Sequence, residues 1–515
     1  MRRIKRVFFG FLVLVLLIQG LVLVVELLVK RNLPGILNNS SNNPSVVSFE
    51  DISFSFWKRS IEIEHISVKQ KASAEEDASA SLEAEIGRVE IDQVRVFGIL
   101  FNKVIKAGNV FVEEPNFRIN SSKEGEGAMA KNSKPINNFW KDFYSSIELQ
   151  NIEVRNGKLL GTSNSIDTLF KVDDFDFLIS EVQIDSSKIV HPIPFEFEKF
   201  DLVIGGIQAD ISPLYRITLD SLSVSEEDLV LRHLNIEPLL SKQEFSKHID
   251  MEQDYITAHL DSLKMLNSNW GFIQDQMFVK SDELWINGLS AQFYRDKTVK
   301  DNLKKKKLFA RIMRDLPFKM NFKKFHISDS NIEIQEKSSE EREVASLSIN
   351  DIRVDGLNLS NYNPQGFVKI EFSGNLLDDA LINGELKFKV NDLKDSYVLT
   401  GKVSKMNLSK LNSYSQPTFN VKLSGVLNSI DYQIVGNDID AHATMHMDLE
   451  NIDIEVLNKK QNKRKLISAA GNLLLKNSVE NQEVKSTNER KQDKSVFNQI
   501  ILCFVSSIKK AVLIL

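Results

Sequence analysis

The sequence predicts a mainly β fold: an N-terminal transmembrane helix, then a long, twisted, bulged antiparallel-type sheet forming a hydrophobic groove, with a few short helices and a C-terminal amphipathic helix. Three observations predict it. An eight-residue figure of apolar (a) and polar (p) residues, a-p-a-p-p-a-p-a, keeps returning; residues 7–25 carry no charge; and residues 495–515 have helical apolar spacing. The figure reads Ile61-Glu62-Ile63-Glu64-His65-Ile66-Ser67-Val68 in its first copy. Strict copies stand at 61–68, 89–96, 147–154, 170–177, 217–224, 258–265, 320–327, 347–354 and 447–454, with one position relaxed at 202–209 and 284–291. With 42% apolar residues chance gives roughly two strict matches, so nine is an excess.

Alternation with period two makes a strand with one dry and one wet face. The doubled polar in the middle shifts the phase by one residue and would throw the second half onto the wrong face. A β-bulge there would absorb the extra residue and restore the facing, so that Ile61, Ile63, Ile66 and Val68 line one side. A two-residue hairpin turn at the doubled polar competes with the bulge, and Asn287-Gly288 would suit it.

In chain order, Arg2, Arg3, Lys5 and Arg6 precede the uncharged run 7–25, which at 1.5 Å per residue covers about 28 Å, close to a bilayer's hydrocarbon core. The basic residues ahead of it place the N-terminus in the cytoplasm and the rest across the membrane. A cleavable signal peptide is the alternative. Residues 1–31 are therefore a cytoplasmic stub and transmembrane anchor, and 32–120 an N-terminal β region, with Pro115 at a strand edge or turn. Residues 121–135 are polar enough for a flexible loop. A central β-groove region spans 136–297, with a short helical turn near 239–247. Residues 298–316 read as a helix stopped by Pro317. Its basic run 304–307 could touch anionic headgroups or be a solvated face. A C-terminal β-groove region spans 317–458, a polar linker 459–494, and an amphipathic helix 495–515 with Phe497, Ile501, Phe504, Ile508, Val512 and Leu515 on one stripe. That helix would close the end of a sheet or lie on a membrane.

A net charge of −5 argues against a nucleic-acid binder, and one cysteine, Cys503, excludes an internal disulfide. There is no phosphate-binding glycine loop, nucleophile elbow or cysteine pair. His248, Asp250, Asp254 and His259 can be assembled on paper into a metal site, but His259 occupies a polar slot of the figure, as do His65 and His326. The sequence thus predicts no enzyme, no metal and no cofactor. Some 24 strands at about 4.8 Å would extend on the order of 115 Å as one sheet, whose dry faces form an apolar trough suited to acyl chains.

Several stretches resemble the AsmA-like proteins of two-membrane bacteria: the N-terminal anchor; Val110-Phe111-Val112-Glu113-Glu114-Pro115-Asn116-Phe117-Arg118-Ile119; the segment from Leu239 to Phe245; Tyr294-Arg295-Asp296-Lys297; Leu316-Pro317-Phe318 leading into 320–334; and the tail from Met447 through Lys494-Ser495-Val496-Phe497-Asn498. The chain departs from that pattern at Ile334-Gln335-Glu336. The resemblance implies a single-pass inner-membrane protein with a periplasmic body, which binds phospholipid acyl chains in a repeating hydrophobic groove. It also implies a role in phospholipid transport or outer-membrane upkeep, with an outer-membrane or periplasmic protein partner. Candidate lining residues are Ile61, Ile63, Ile66 and Val68; Ile147, Leu149, Ile152 and Val154; Ile217, Leu219, Leu222 and Val224; Met320, Phe322, Phe325 and Ile327; and Leu347, Ile349, Ile352 and Val354. The alternative is an anchored β-rich scaffold or assembly factor that binds proteins and holds no lipid.

Overall fold

A computed structural model describes residues 45–55, 57–70, 80–94, 104–121, 146–163, 169–185, 195–273, 276–457 and 474–514. The expected anchor at 7–25 and nearly all of the expected loop at 121–135 lie outside them. No helix among the described residues is long and apolar enough to cross a membrane. The chain divides into two compact units, Met1–Ile211 with Ile217–Glu226 and Ser212–Arg216 with Glu227–Leu515.

The first unit contains β1 (Ser45–Ser48), β2 (Asp51–Ser55), β3 (Ser60–Gln70), β4 (Ala80–Ile91), β5 (Val104–Glu113), β6 (Asn116–Ser121), β7 (Ser146–Ser163), β8 (Phe170–Asp185), β9 (Phe195–Glu196), β10 (Lys199–Ser212) and most of β11 (Tyr215–Ser225). β1 and β2 pair with β3, β3 with β4, and β4 with both β5 and β6. β5 and β6 are two halves of one line, interrupted at Glu114-Pro115 as the proline requires, and both run parallel to β7. β7 then pairs with β8, and β8 with β9 and β10.

The second unit contains β12 (Leu229–Pro238), α1 (Lys242–His248), β13 (Tyr255–Leu266), β14 (Asn269–Ile273), β15 (Gln276–Asp296), α2 (Phe309–Arg314), β16 (Lys319–Lys337), β17 (Ala345–Ser360), β18 (Val368–Leu376), β19 (Ala380–Phe388), β20 (Tyr397–Val403), β21 (Met406–Asn407), α3 (Asn412–Phe419), β22 (Val421–Gly436), β23 (Asp440–Val456), β24 (Leu474–Leu475), β25 (Val479–Glu489), α4 (Val496–Val512) and β26 (Leu513–Ile514). Sheet order follows the chain: β12, β13 with β14, β15, β16, β17, β18, β19, β20 with β21, β22, β23, β25. β15 and β16 are parallel, joined by the crossover of residues 297–318. The sheet is therefore mixed, which corrects the expectation of an antiparallel one.

The doubled polar is where the backbone departs from β geometry. Its second residue has a left-handed backbone in six copies: His65 (φ 50°), Gln93 (51°), Gly206 (58°), Gly288 (69°), Asp351 (51°) and Asn451 (53°). In four others the left-handed residue lies on the neighbouring strand and faces the first of the doubled polars. Glu181 faces Gln150, Gly206 faces Asp173, His233 faces Asp261, and Asn358 faces Lys323. The expected bulge, with one extra residue on one strand, is present at Asp351 and Asn451. At His65 it is replaced by a break that both strands share: Glu64 still pairs with Arg88 and Ile66 with Ile86, so the register is unchanged. The hairpin alternative fails at Asn287-Gly288, which lies inside the unbroken β15.

The break restores the facing. Along β23 Ala441, Ala443, Met445, Met447 and Leu449 are buried; Glu450 and Asn451 are both exposed; and Ile452 returns to the same core. Phe117 and Phe175, on opposite sides of the break in the first unit, stack at 6.5 Å between ring centroids.

Four expectations change. Of the copy at 89–96, residues 89–91 are strand, at the end of β4, 92–94 are not, and 95–96 lie outside the described residues. The helix expected over 298–316 is confined to α2, Phe309–Arg314. Residues 477–494, read as linker, contain β25, whose inward positions beside Val479 and Val484 include Ser486. Its partner explains the polarity: Ser486 hydrogen-bonds Ser507 of α4 at 2.8 Å, and Asn488 donates to the Cys503 sulfur at 3.5 Å. α4 packs through Val496, Gln499, Cys503, Ser507, Ala511 and Val512, with Phe504 and Ile508 of the expected stripe against the same core, and leaves only the Phe497 and Ile501 end of that stripe outward.

Candidate functional site

Pairing brings the dry residues of the first unit into rows that cross the strands. One row is Phe54, Ile61, Ile91, Val110, Ile152, Ile179 and Phe200; a second is Ile52, Ile63, Val89, Val112, Val154, Phe177 and Leu202. Beyond the break a third runs through Val47, Val68, Ala84, Phe117, Leu159, Val172 and Ile207. Directly opposed side chains share a face, so these rows form one apolar surface. Seven strands give six gaps of about 4.8 Å, so each row is roughly 29 Å long.

This surface is only partly covered. Among the described residues of the first unit the fully buried apolar side chains are Ile52, Ala84, Val94, Ala107, Ile179, Val182, Leu219 and Val224. Ile61, Ile63, Ile66, Val68, Ile147, Leu149, Ile152, Val154, Ile217 and Leu222 are half-buried. The opposite face is polar and satisfied across strands. Arg88 bonds Glu113 at 3.0 Å and Glu62 at 3.0 Å, and those bonds, Glu113 first, raise the pKa of its guanidinium. Asp92, Asn109, Asn151 and Ser180 form a hydrogen-bonded chain with links of 2.7 to 2.8 Å. A shallow recess lined by Ser67, Lys69, Glu83, Ala84, Glu85, Asn116 and Arg118 encloses essentially no space and does not suit a lipid tail.

In the second unit an apolar row passes from Leu231 through Leu263, Ile286, Ile327, Val354 and Phe372, and reaches Tyr432, Met445 and Val484 after Gly384 and Gly401. Its two ends differ. From β18 onward the face is filled: Cys503 and Ala511 of α4 are buried in the core, Phe504 meets Tyr432 edge-on at 5.2 Å, and Phe309 of α2 packs on Phe388 and Tyr397 at 5.8 and 5.6 Å. Burial pushes the Tyr432 hydroxyl up to about 12 and the Cys503 thiol up to about 11. From β12 to β17 most of the row is half-buried.

The candidate lining residues of this unit divide accordingly. Met320, Phe322 and Phe325 are core, and the Phe325 ring lies over Gly356, where no side chain would fit. Ile327, Leu347, Ile349, Ile352 and Val354 are half-buried. In the first unit the candidate lining left out the row partners on β2, β4, β5, β8 and β10: copies of the figure at 89–96, 170–177 and 202–209 lie on or begin in β4, β8 and β10, but which of these residues meet Ile61, Ile152 and Val154 is fixed only by pairing.

The residues weighed for a metal are dispersed. His248 Nδ1 contacts the Glu244 carbonyl at 2.8 Å, Asp254 holds Arg295 through two bonds of 2.7 Å, and His259 lies 2.6 Å from Asn235 and 2.9 Å from Asp261. Among the described residues no group of three or more His, Cys, Asp or Glu could hold a metal ion. No family model matches the chain, and no curated protein matches it.

Proposed function

We propose that this protein is a membrane-anchored lipid-binding protein, AsmA-like in type, that holds acyl chains against the half-buried apolar rows. The observation that carries this reading is a set of aligned apolar rows, each roughly 29 Å long, most of whose members are only half-buried. A folding core would bury them; a surface that exchanges lipid tails must leave them accessible. No covalent step is needed. Each CH₂ that leaves water for the wall gains up to about 0.8 kcal/mol, and a tail held only by such contacts can slide along the row. The basic N-terminus and uncharged run 7–25 support anchoring in the inner membrane with the body in the periplasm, and thus a part in phospholipid movement toward the outer membrane or in its upkeep.

The test is a photo-crosslinking amino acid placed in the full chain at Ile152, on the dry face, or at Glu153, on the wet face. Lipid adducts found by mass spectrometry at Ile152 and absent at Glu153 support the proposal. Protein adducts alone at Ile152 would favour the scaffold reading, and no adduct at either position would end the lipid reading.

A further inference from the structure

We propose that the second unit carries a docking surface for an anionic lipid bilayer, formed where the β19–β20 turn, the β22–β23 turn, the start of α4 and the segment before α2 meet. Backbone bonds join these pieces. Asp438 N–H donates to the Lys394 carbonyl at 3.2 Å, Arg490 N–H to the Ile439 carbonyl at 2.8 Å, and Lys306 N–H to the Gln492 carbonyl at 2.8 Å. Arg314 of α2 donates to the carbonyls of Val390 and Asp392 at 2.7 and 2.8 Å.

Each piece presents a large apolar side chain to water: Leu393 is 85% exposed, Ile439 74%, Leu303 73% and Phe497 64%. One exposed leucine is ordinary. Four on adjoining segments, two of them at turns that would normally be polar, are a patch.

Most of the carboxylates on this surface are engaged, and three of its lysines are not. The carboxylates are turned into the loops: Asp392 accepts the N–H groups of Lys394 and Ser396 at 3.0 and 2.9 Å, Asp395 pairs with Arg314, Asp438 with Arg490 and Lys305, and Asp440 accepts from Asn437 at 3.0 Å. The exposed acids Asp301 and Asp315 are paired, with Lys494 at 3.7 Å and with Lys307 at 3.0 Å, and Glu489, at the end of β25, is exposed and makes no ion pair among the described residues. Lys304, Lys394 and Lys491 are exposed and make no ion pair among the described residues. Exposed apolar side chains on adjoining segments that also carry unpaired ammonium groups fit the interface of an anionic bilayer, where the apolar side chains enter the acyl boundary and the lysines meet phosphates. A protein partner would more naturally be met by aromatic or arginine anchors and pockets. This surface is separate from the half-buried rows, so the proposal does not rest on acyl-chain binding.

The experiment uses the full chain in phosphatidylcholine nanodiscs, with Ile439→Cys carrying an environment-sensitive dye. Cys503 is the one native cysteine and is buried, so labelling is selective. Adding phosphatidylglycerol vesicles should blue-shift the dye, and pure phosphatidylcholine vesicles should not. The same dye at Glu341→Cys, in the β16–β17 connection, should stay unchanged. Leu393→Asp should weaken the response at least about tenfold, and raising salt from about 0.05 to about 0.5 M should weaken it by a similar factor. No shift with phosphatidylglycerol, an equal shift at position 341, or a shift that needs only higher protein concentration would overturn the proposal, the last by pointing to a second copy of the chain.

Discussion

Charged substitutions at Phe325 and at Val154 separate a packed core from an accessible lining. Phe325 is 6% exposed and lies on Gly356 within the core of the second unit. Removing a buried phenylalanine costs about 3–5 kcal/mol, and an aspartate left there without a partner costs more. Since a domain is typically stable by about 5–15 kcal/mol, Phe325→Asp should largely unfold the second unit. Val154 is half-buried on β7 between Val112 and Phe177. Most of the roughly 1.5–3 kcal/mol gained by burying a valine is at stake there, while the carboxylate keeps some access to water, so Val154→Asp should cost about 2 kcal/mol, several degrees in Tm and less than Phe325→Asp. The same variant should weaken binding of a fluorescent fatty acid at least about tenfold, because the carboxylate interrupts a continuous apolar row. Thermal unfolding by circular dichroism and fatty-acid titration of the full chain check both halves. If Val154→Asp destabilises as much as Phe325→Asp, the dry face is packed, and if binding is unchanged the tails lie elsewhere.

Asn451→Val places a β-branched side chain at φ 53° and should cost about 1–3 kcal/mol in denaturant unfolding, while Asn451→Gly should be close to neutral; equal effects would remove the role given to the left-handed residue. The Cys503 thiol, pushed up to about 11 by burial, should react with iodoacetamide at pH 8 far more slowly in the native chain than in urea, as read by mass spectrometry. Ser241 and Glu244 form a capping box at α1, so Ser241→Ala should cost about 1 kcal/mol. On the Glu333 carboxylate burial acts upward but is outweighed by hydrogen bonds from Gln335, Ser346 and Gln292 and the charge of Lys242, so its folded pKa lies below the ordinary glutamate range. The stability it contributes is present above that range and lost as pH falls through the folded value, and Glu333→Gln should flatten the acid limb of a stability–pH curve.

The strands from β3 to β23 were largely legible because their inward residues are apolar and their outward ones polar, so the period is written in the chain. β25 was not, because its inward serine faces Ser507 on a helix that contributes small and polar side chains to the contact. The same chemistry made the buried face of α4 only partly legible: Phe504, Ile508 and Val512 of its apolar stripe do meet the core, but close approach of Cys503, Ser507 and Ala511 to the sheet turns Phe497 and Ile501 outward. The candidate site was half legible. Composition identified Ile152 and Val154 as dry, but their rows exist only through pairing between strands far apart in sequence. Whether a dry residue is core, like Phe325, or half-open, like Val154, is not written in the period: helices pack on the sheet of the second unit, and the described residues of the first contain none.

The recurrence of the eight-residue figure is explained by register rather than by ligand. When one strand shifts phase at a left-handed residue, its neighbour must shift at the same level or half of its apolar side chains would face water. His65 opposite Gly87, Asp173 opposite Gly206, and His233 with Gly288 at the level of Asp261 show neighbours meeting that demand. A slip by one residue would put the break on residues such as Ile66 or Ile207, which resist positive φ, so the break also locks the pairing. A sheet built this way would repeat the figure whether or not it held lipid. The number of copies therefore bears on how the sheet is assembled, and the functional proposal rests on what the copies leave uncovered: the half-buried rows of the first unit, among whose described residues there is no helix.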